Sequence, residues 1–160
     1  MKEEKIKISF LNQIVNLFSF FFLCISYYLL IFIVFKELVF IEWYSHLFII
    51  LQLIPTLYIH VSYLKKNYDE EFIIAENYII VNNNIKYFNN EILKIEIHKY
   101  ESPTGHGIAL FPFQNYKYCK IILKDEKSFI LTSLLKPKID VFIKEKLKGV
   151  LFERCYDYFL

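Results

Sequence analysis

Glycine is nearly missing from this chain. There are three in 160 residues, and two of them, Gly105 and Gly107, fall inside one stretch, "YESPTGHGIALFPFQNY" from Tyr100 to Tyr116. A phosphate-cradling loop needs more glycines and a Lys-Ser/Thr pair leading into a helix, and that stretch has neither. The cysteines are Cys24, Cys119 and Cys155, an odd number with no close pair. Such spacing carries neither a disulfide framework nor a zinc motif, and the three read as free thiols in a reducing compartment. An excess of one charge is missing too. The net charge of +2 is too small for the basic stripe that marks nucleic-acid binding, so no such partner is expected. No spacing ties a nucleophile to a base: His106 is the local candidate beside Ser102 and Thr104, and Cys119 falls in a strand pattern. No catalytic residue, cofactor or metal ligand is assigned, and enzyme activity is not expected.

What is abundant is apolar surface, and most of it lies before Leu64. Residues 10–35, "FLNQIVNLFSFFFLCISYYLLIFIVF", carry no charge. A hydrocarbon core ~30 Å thick needs about 20 apolar residues in helix, so this run predicts a membrane span. A signal peptide would have a shorter apolar region and small residues at a cleavage site, whereas bulky "IFIVFKELVF" follows here. Residues 43–64, "WYSHLFIILQLIPTLYIHVSYL", predict a second span, with Pro55 tolerated as membrane helices allow. Trp43, Tyr44 and Tyr63 suit headgroup-level aromatic belts. The connection 36–42 is short, so the spans form a hairpin with a small external loop. Lys2, Lys5 and Lys7 precede the hairpin and Lys65 and Lys66 follow it, against Lys36 alone in the connection. Basic flanks stay cytoplasmic, which puts residues 1–9, everything after Lys65 and both termini on the cytoplasmic side.

Polar groups inside a span are functional candidates. His46 and His60 are fourteen residues apart, about 21 Å along a helix, too far to share a metal. They read as interfacial or interhelical hydrogen-bonding groups. Gln52 lies deepest and is a candidate contact with the first span or with a second copy of the chain.

Past "KKNYDEE" the pattern changes. Short β-rich runs, "EFIIA", "YIIV" and "IKYF", end at Asn clusters that suit tight turns. "EILKIEIHKY" alternates, with Leu93, Ile95 and Ile97 on one face and Lys94, Glu96 and His98 on the other. "YKYCKIIL" and "KSFILT" follow, joined by "KDEK". Six short strands in about sixty residues predict a small antiparallel barrel or sandwich. Pro137 suits a first helical turn, Ile139, Phe142, Ile143 and Leu147 form one apolar face, and Gly149 can supply a left-handed cap. The tail "VLFERCYDYFL" is aromatic enough to pack against something.

Strands capped by one C-terminal helix are the plan of pleckstrin-homology-like (PH-like) domains, and the segments "FIIAENYII", "IKYF", "EILKIEI" and "SFILTSLLKPKIDVFIKEKL" are similar to the first strands, the last strand and the capping helix of bacterial members. The chain resembles small bacterial membrane proteins with two N-terminal spans and a cytoplasmic PH-like domain at 65–160, a group that includes YcxB-like proteins. The resemblance implies an inner-membrane, multi-pass protein. Two departures matter. Phe142 stands where eukaryotic PH domains usually carry tryptophan, and the turn "AENY" lacks a basic phosphoinositide pattern, so no phosphoinositide is expected.

The stretch 100–116 then reads as a loop or a returning strand. His106, Leu110, Phe111 and Phe113 are candidates for an exposed tip touching lipid or a partner. Lys65, Lys66 and Lys138 are candidates for contact with anionic lipid, because the segment from Lys65 to Glu71 spans at most about 25 Å. The expected function is a membrane-anchored, non-enzymatic binding module that meets a protein partner or the lipid surface, with self-association through the spans plausible. The alternative is a structural or protective, immunity-like subunit acting through its spans.

Overall fold

The structure, a computed structural model, describes residues 3–35, 43–99 and 111–157. Strand β1 (Glu4–Ile6) precedes two long helices, α1 (Phe10–Phe35) and α2 (Trp43–Asn67). Strands β2 (Phe72–Ile74), β3 (Tyr78–Val81), β4 (Ile85–Phe88), β5 (Ile92–Lys99), β6 (Lys117–Leu123) and β7 (Ser128–Thr132) follow, then α3 (Ile139–Lys146) and β8 (Phe152–Cys155). The six runs of alternating residues after Glu71 all form strands, and the two uncharged runs form the long helices. Both helices are long and apolar enough to cross a membrane. The connection 36–42 and the side chains of Trp43 and Tyr44 lie outside the described residues.

The strands form two four-stranded sheets, ordered β1-β2-β3-β4 and β7-β6-β5-β8. All pairs are antiparallel except β5 with β8. Local chemistry sets the turns. Asn82 and Asn83 adopt φ of 52° and 56° between β3 and β4, the left-handed region that asparagine tolerates, and the Asn84 N–H donates to the Val81 carbonyl at 3.1 Å. Gly149 has φ of +80°, so the glycine after α3 is required by backbone conformation; a Cβ there would meet nothing within 4 Å.

One core fills the space between the sheets and α3. Phe72, Ile74 and Ile79 from the first sheet meet Ile95, Ile97, Ile121 and Leu131 from the second, and Ile139, Phe142, Ile143 and Leu147 close it. In β5 the alternation works as read, burying Ile95 and Ile97 and leaving Lys94 and Glu96 half-buried on the outer face. Leu93 departs: it is exposed, because the ladder to β6 is irregular between Ile92 and Lys94. Pro137 lies in the turn just ahead of α3 rather than in its first turn.

The structure departs from the sequence reading at both ends of the hairpin. Residues 1–9 are not merely a tail: Glu4–Ile6 pairs with β2 and buries Ile6 in the core, because the β2 edge needs backbone partners and the core needs its apolar face closed. At the other end α2 runs three residues past Leu64, to Asn67, and β2 begins at Phe72. The segment from Lys65 to Glu71 falls well short of its ~25 Å limit, because its first three residues are the last turn of α2, and the β body is joined directly to the helices. The aromatic tail packs as expected, with Phe152–Cys155 as a parallel edge strand and the Ile95 N–H donating to the Leu151 carbonyl at 2.8 Å.

Candidate functional site

Polar side chains on the lower turns of both helices reach backbone groups of the β body. On α1, Asn12, Asn16 and Ser19 follow at spacings of four and three, which puts them on one helical face. Asn12 Nδ2 donates to the Leu135 carbonyl at 2.6 Å, Asn16 Nδ2 to the Ser133 carbonyl at 3.0 Å, and Ser19 Oγ accepts from Asn115 Nδ2 at 3.0 Å. On α2, Asn67 acts as a substitute strand. Its Nδ2 donates to the Ile130 carbonyl at 2.8 Å and its Oδ1 accepts the Thr132 N–H at 3.0 Å. Because β7 is an edge of its sheet, these bonds satisfy groups that would otherwise be buried without partners.

An aromatic plug fills the same junction. Tyr63 is fully buried, edge-on to Tyr116 at 5.6 Å and to Tyr118 at 5.9 Å, with Ile59 and Leu134 beside them. Tyr63 therefore faces the β body and not a headgroup belt. Its ring has protein to pack against there, which a span alone does not provide. His60 is likewise buried rather than hydrated, its Nδ1 2.8 Å from the Tyr116 hydroxyl. Burial pushes the phenols of Tyr116 and Tyr118 up, that of Tyr118 to about 12, so both are neutral at physiological pH. His46 takes an interhelical bond, with Nδ1 2.9 Å from the Tyr28 hydroxyl.

The sequence candidates scatter around this junction. Phe111 and Phe113 stack at 5.6 Å and are half-buried; Phe113 packs against the Tyr63 cluster, and Pro112 between them is buried. This segment leans on the helix bases instead of projecting as a tip. His106 and Leu110 lie outside the described residues. Lys65 and Lys66 are exposed on the last turn of α2, and Lys138 is exposed just ahead of α3. Gln52 is buried, and its Oε1 has no hydrogen-bond partner among the described residues.

Sequence reasoning missed the polar stripe on α1. Three hydrogen-bonding residues at helical spacing in an otherwise greasy run were the available signal. It also missed a second cluster, on the outer face of the second sheet. There His98 stacks flat on Tyr118, with centroids 4.2 Å apart and an 8° interplanar angle. Its Nδ1 lies 2.6 Å from Asp157 Oδ1 and 3.0 Å from the Asp157 carbonyl, and its Nε2 lies 3.5 Å from Glu96 Oε2. Cys155 is the register partner of His98 on β8. Lys94 holds Glu96 Oε1 at 2.8 Å and Glu153 at 2.7 Å, and this ammonium keeps the Glu96 carboxyl below its ordinary range. Glu96, His98 and Cys155 are close enough together to hold a metal ion. The eight strand residues of β5 announce two of these groups. The third arrives from a tail whose parallel pairing has no local sequence signature.

Comparison with protein-family models, with curated proteins and with solved structures found no match to this chain.

Proposed function

We propose that this chain is a non-enzymatic binding module held at a bacterial inner membrane by a two-span hairpin, with its β body and both termini in the cytoplasm. Exposure favours the membrane. The core helix of a water-soluble protein is mostly buried, whereas only 11% of the apolar window in α1 and 28% of that in α2 are covered. Phe18, Phe22, Ile25, Leu29 and Ile33 stand more than half exposed, a surface that water disfavours and lipid accepts. Pairing of β1, ahead of the hairpin, with β2, behind it, supports both ends lying on one side of the bilayer.

The observation that carries the reading is the hydrogen-bonded junction. Asn12, Asn16, Ser19, Asn67 and His60 bolt the β body to the helix bases, leaving about sixteen described residues of each helix beyond it, or ~24 Å at 1.5 Å per residue. That is shorter than a hydrocarbon core of ~30 Å. The apolar belt of α1 nevertheless continues down beside the body, with Phe10 77% and Leu11 69% exposed. The body's hairpin-facing flank therefore sits within the headgroup layer, where Lys65, Lys66 and Lys138 meet anionic lipid. Strand β4 forms the other edge of the first sheet, and its Ile85 and Phe88 are exposed, a surface suited to adding an extended partner segment. We read the six strands β2 to β7 with α3 as a PH-like plan, with β1 and β8 as additions to it. A photo-crosslinker at Ile85 in native membranes is expected to capture a protein, and one at Phe22 lipid alone. Lipid-only products at both positions would refute an edge-bound protein partner.

A second reading, a structural or protective subunit acting through its spans, draws on Gln52. Its carbonyl oxygen is buried in α2 without a hydrogen-bond partner among the described residues, and a polar group of another span would satisfy it. Under that reading Gln52→Leu abolishes function while the β4 edge tolerates substitution.

A further inference from the structure

We propose that Glu96, His98 and Cys155 form a three-ligand site for a borderline divalent metal ion of the zinc class, with its fourth position open to water. The inference starts from one proton. Nδ1 of His98 faces both a carboxylate oxygen and the backbone carbonyl of Asp157, and a carbonyl can only accept. The hydrogen of the neutral ring therefore sits on Nδ1, and the lone pair sits on Nε2. Among the described residues Nε2 is buried without a hydrogen-bond partner, on a side chain only 9% exposed, and it points toward Glu96 Oε2 at 3.5 Å. A bare nitrogen lone pair aimed at a carboxylate oxygen is an arrangement that a cation between them resolves.

The remaining geometry fits such a cation. Glu96 Oε1 is committed to Lys94, which leaves Oε2 as a single donor. Cys155 lies opposite His98 in the β5–β8 register, and the three donor atoms fall within 4.8 Å of one another. Zinc bonds of about 2.0–2.3 Å place tetrahedral ligand atoms roughly 3.2–3.8 Å apart, so closure needs rotation of Glu96 and Cys155 by about an ångström. Both are half-buried side chains on the sheet's outer face. Thiolate with imidazole selects zinc-class metals over magnesium or calcium. The Asp157 carboxylate behind Nδ1 is the outer partner that orients a ligating imidazole, and Tyr118 holds the ring flat.

Metal binding replaces the S–H bond with a metal–sulfur bond and releases the proton to water. The site does not depend on the membrane reading. It joins β5 to β8 whether or not a partner binds.

The test uses the full, reduced chain in detergent micelles with Co²⁺ as probe and Zn²⁺ as competitor. One equivalent of Co²⁺ is expected to give a thiolate charge-transfer band that Zn²⁺ abolishes, and Zn²⁺ is expected to raise the melting temperature. Cys155→Ser, a near-isosteric change that keeps the fold, is expected to lose both signals. Cys24→Ser combined with Cys119→Ser is expected to keep them, and Asp157→Asn to weaken binding about 10-fold or more. Folded wild-type protein with neither band nor melting shift would overturn the site, as would undiminished binding in Cys155→Ser.

Discussion

Single side chains at the junction do work that the chain's backbone cannot do alone. Asn67 satisfies one donor and one acceptor on the β7 edge, so Asn67→Ala strands both in a buried setting. An unsatisfied buried group costs about 1–3 kcal/mol, and the expected loss is about 2 kcal/mol or more, read as a lower denaturation midpoint in detergent. Asp140 offers a pH test. Burial acts to raise its carboxyl, but the Lys117 ammonium at 2.9 Å outweighs burial and holds it below the ordinary value. A depressed folded pKa stabilises the fold above the unfolded value, near 3.9, and that stability is lost as pH falls through the folded value. Stability contributed by this pair is therefore expected to be constant from neutral pH to about 5 and to fall below about 4. An acid melt of Asp140→Asn is expected to lack that part of the decline. Gly149→Ala is expected to destabilise by about 1 kcal/mol, since φ of +80° strains any residue with a Cβ while nothing nearby clashes. The glycine was legible in the sequence. The roles of Asn67 and Asp140 were not, because both depend on partners more than twenty residues away.

Among the elements, β1 is the one with consequences for any attempt to divide the molecule. It lies before the hairpin, yet Ile6 belongs to the core of the body that lies after it. Ile6→Ala is expected to cost about 2–4 kcal/mol, as for other buried large-to-small changes, although the residue precedes the first span. A fragment beginning at Lys65 lacks β1 and leaves the β2 edge open, so it is expected to self-associate where the full chain does not. Size-exclusion chromatography of both in the same detergent checks this. Three residues of strand carry too little pattern to be found beside a run of lysines and glutamates, whereas the eight residues of β5 declare their alternation plainly. β8 escaped for a related reason: "FERC" alternates weakly, and parallel pairing at an edge needs no turn signal nearby.

At the scale of the whole molecule, hairpin and body form one unit, so positions along α1 report depth. Nitroxide labels at Phe10 and Phe18, both exposed on the flank beside the body, are expected to be more accessible to dissolved oxygen than to a polar relaxation agent. Labels at Lys65 and Lys66 are expected to reverse that preference. If Phe10 proved as water-accessible as Lys65, the body would stand clear of the lipid and the immersed-flank reading would fail. Reporters fused ahead of Glu3 and after Asp157 are expected to report the same compartment, because β1 and β2 cannot pair across a bilayer.

Two uncharged runs of helical length, alternating residues bounded by asparagines, and one amphipathic helix closed by a glycine were set by the chain locally. Each depends on periodicity and on backbone preferences that act over a few residues, so the sequence alone determined them. The tertiary structure decided what brings distant residues together: β1 in the core, Asn67 on the β7 edge, Tyr63 turned inward, and Glu96, His98 and Cys155 on one face. Those contacts follow from unpaired strand edges and buried polar groups seeking partners, and no short-range pattern specifies which partner they find.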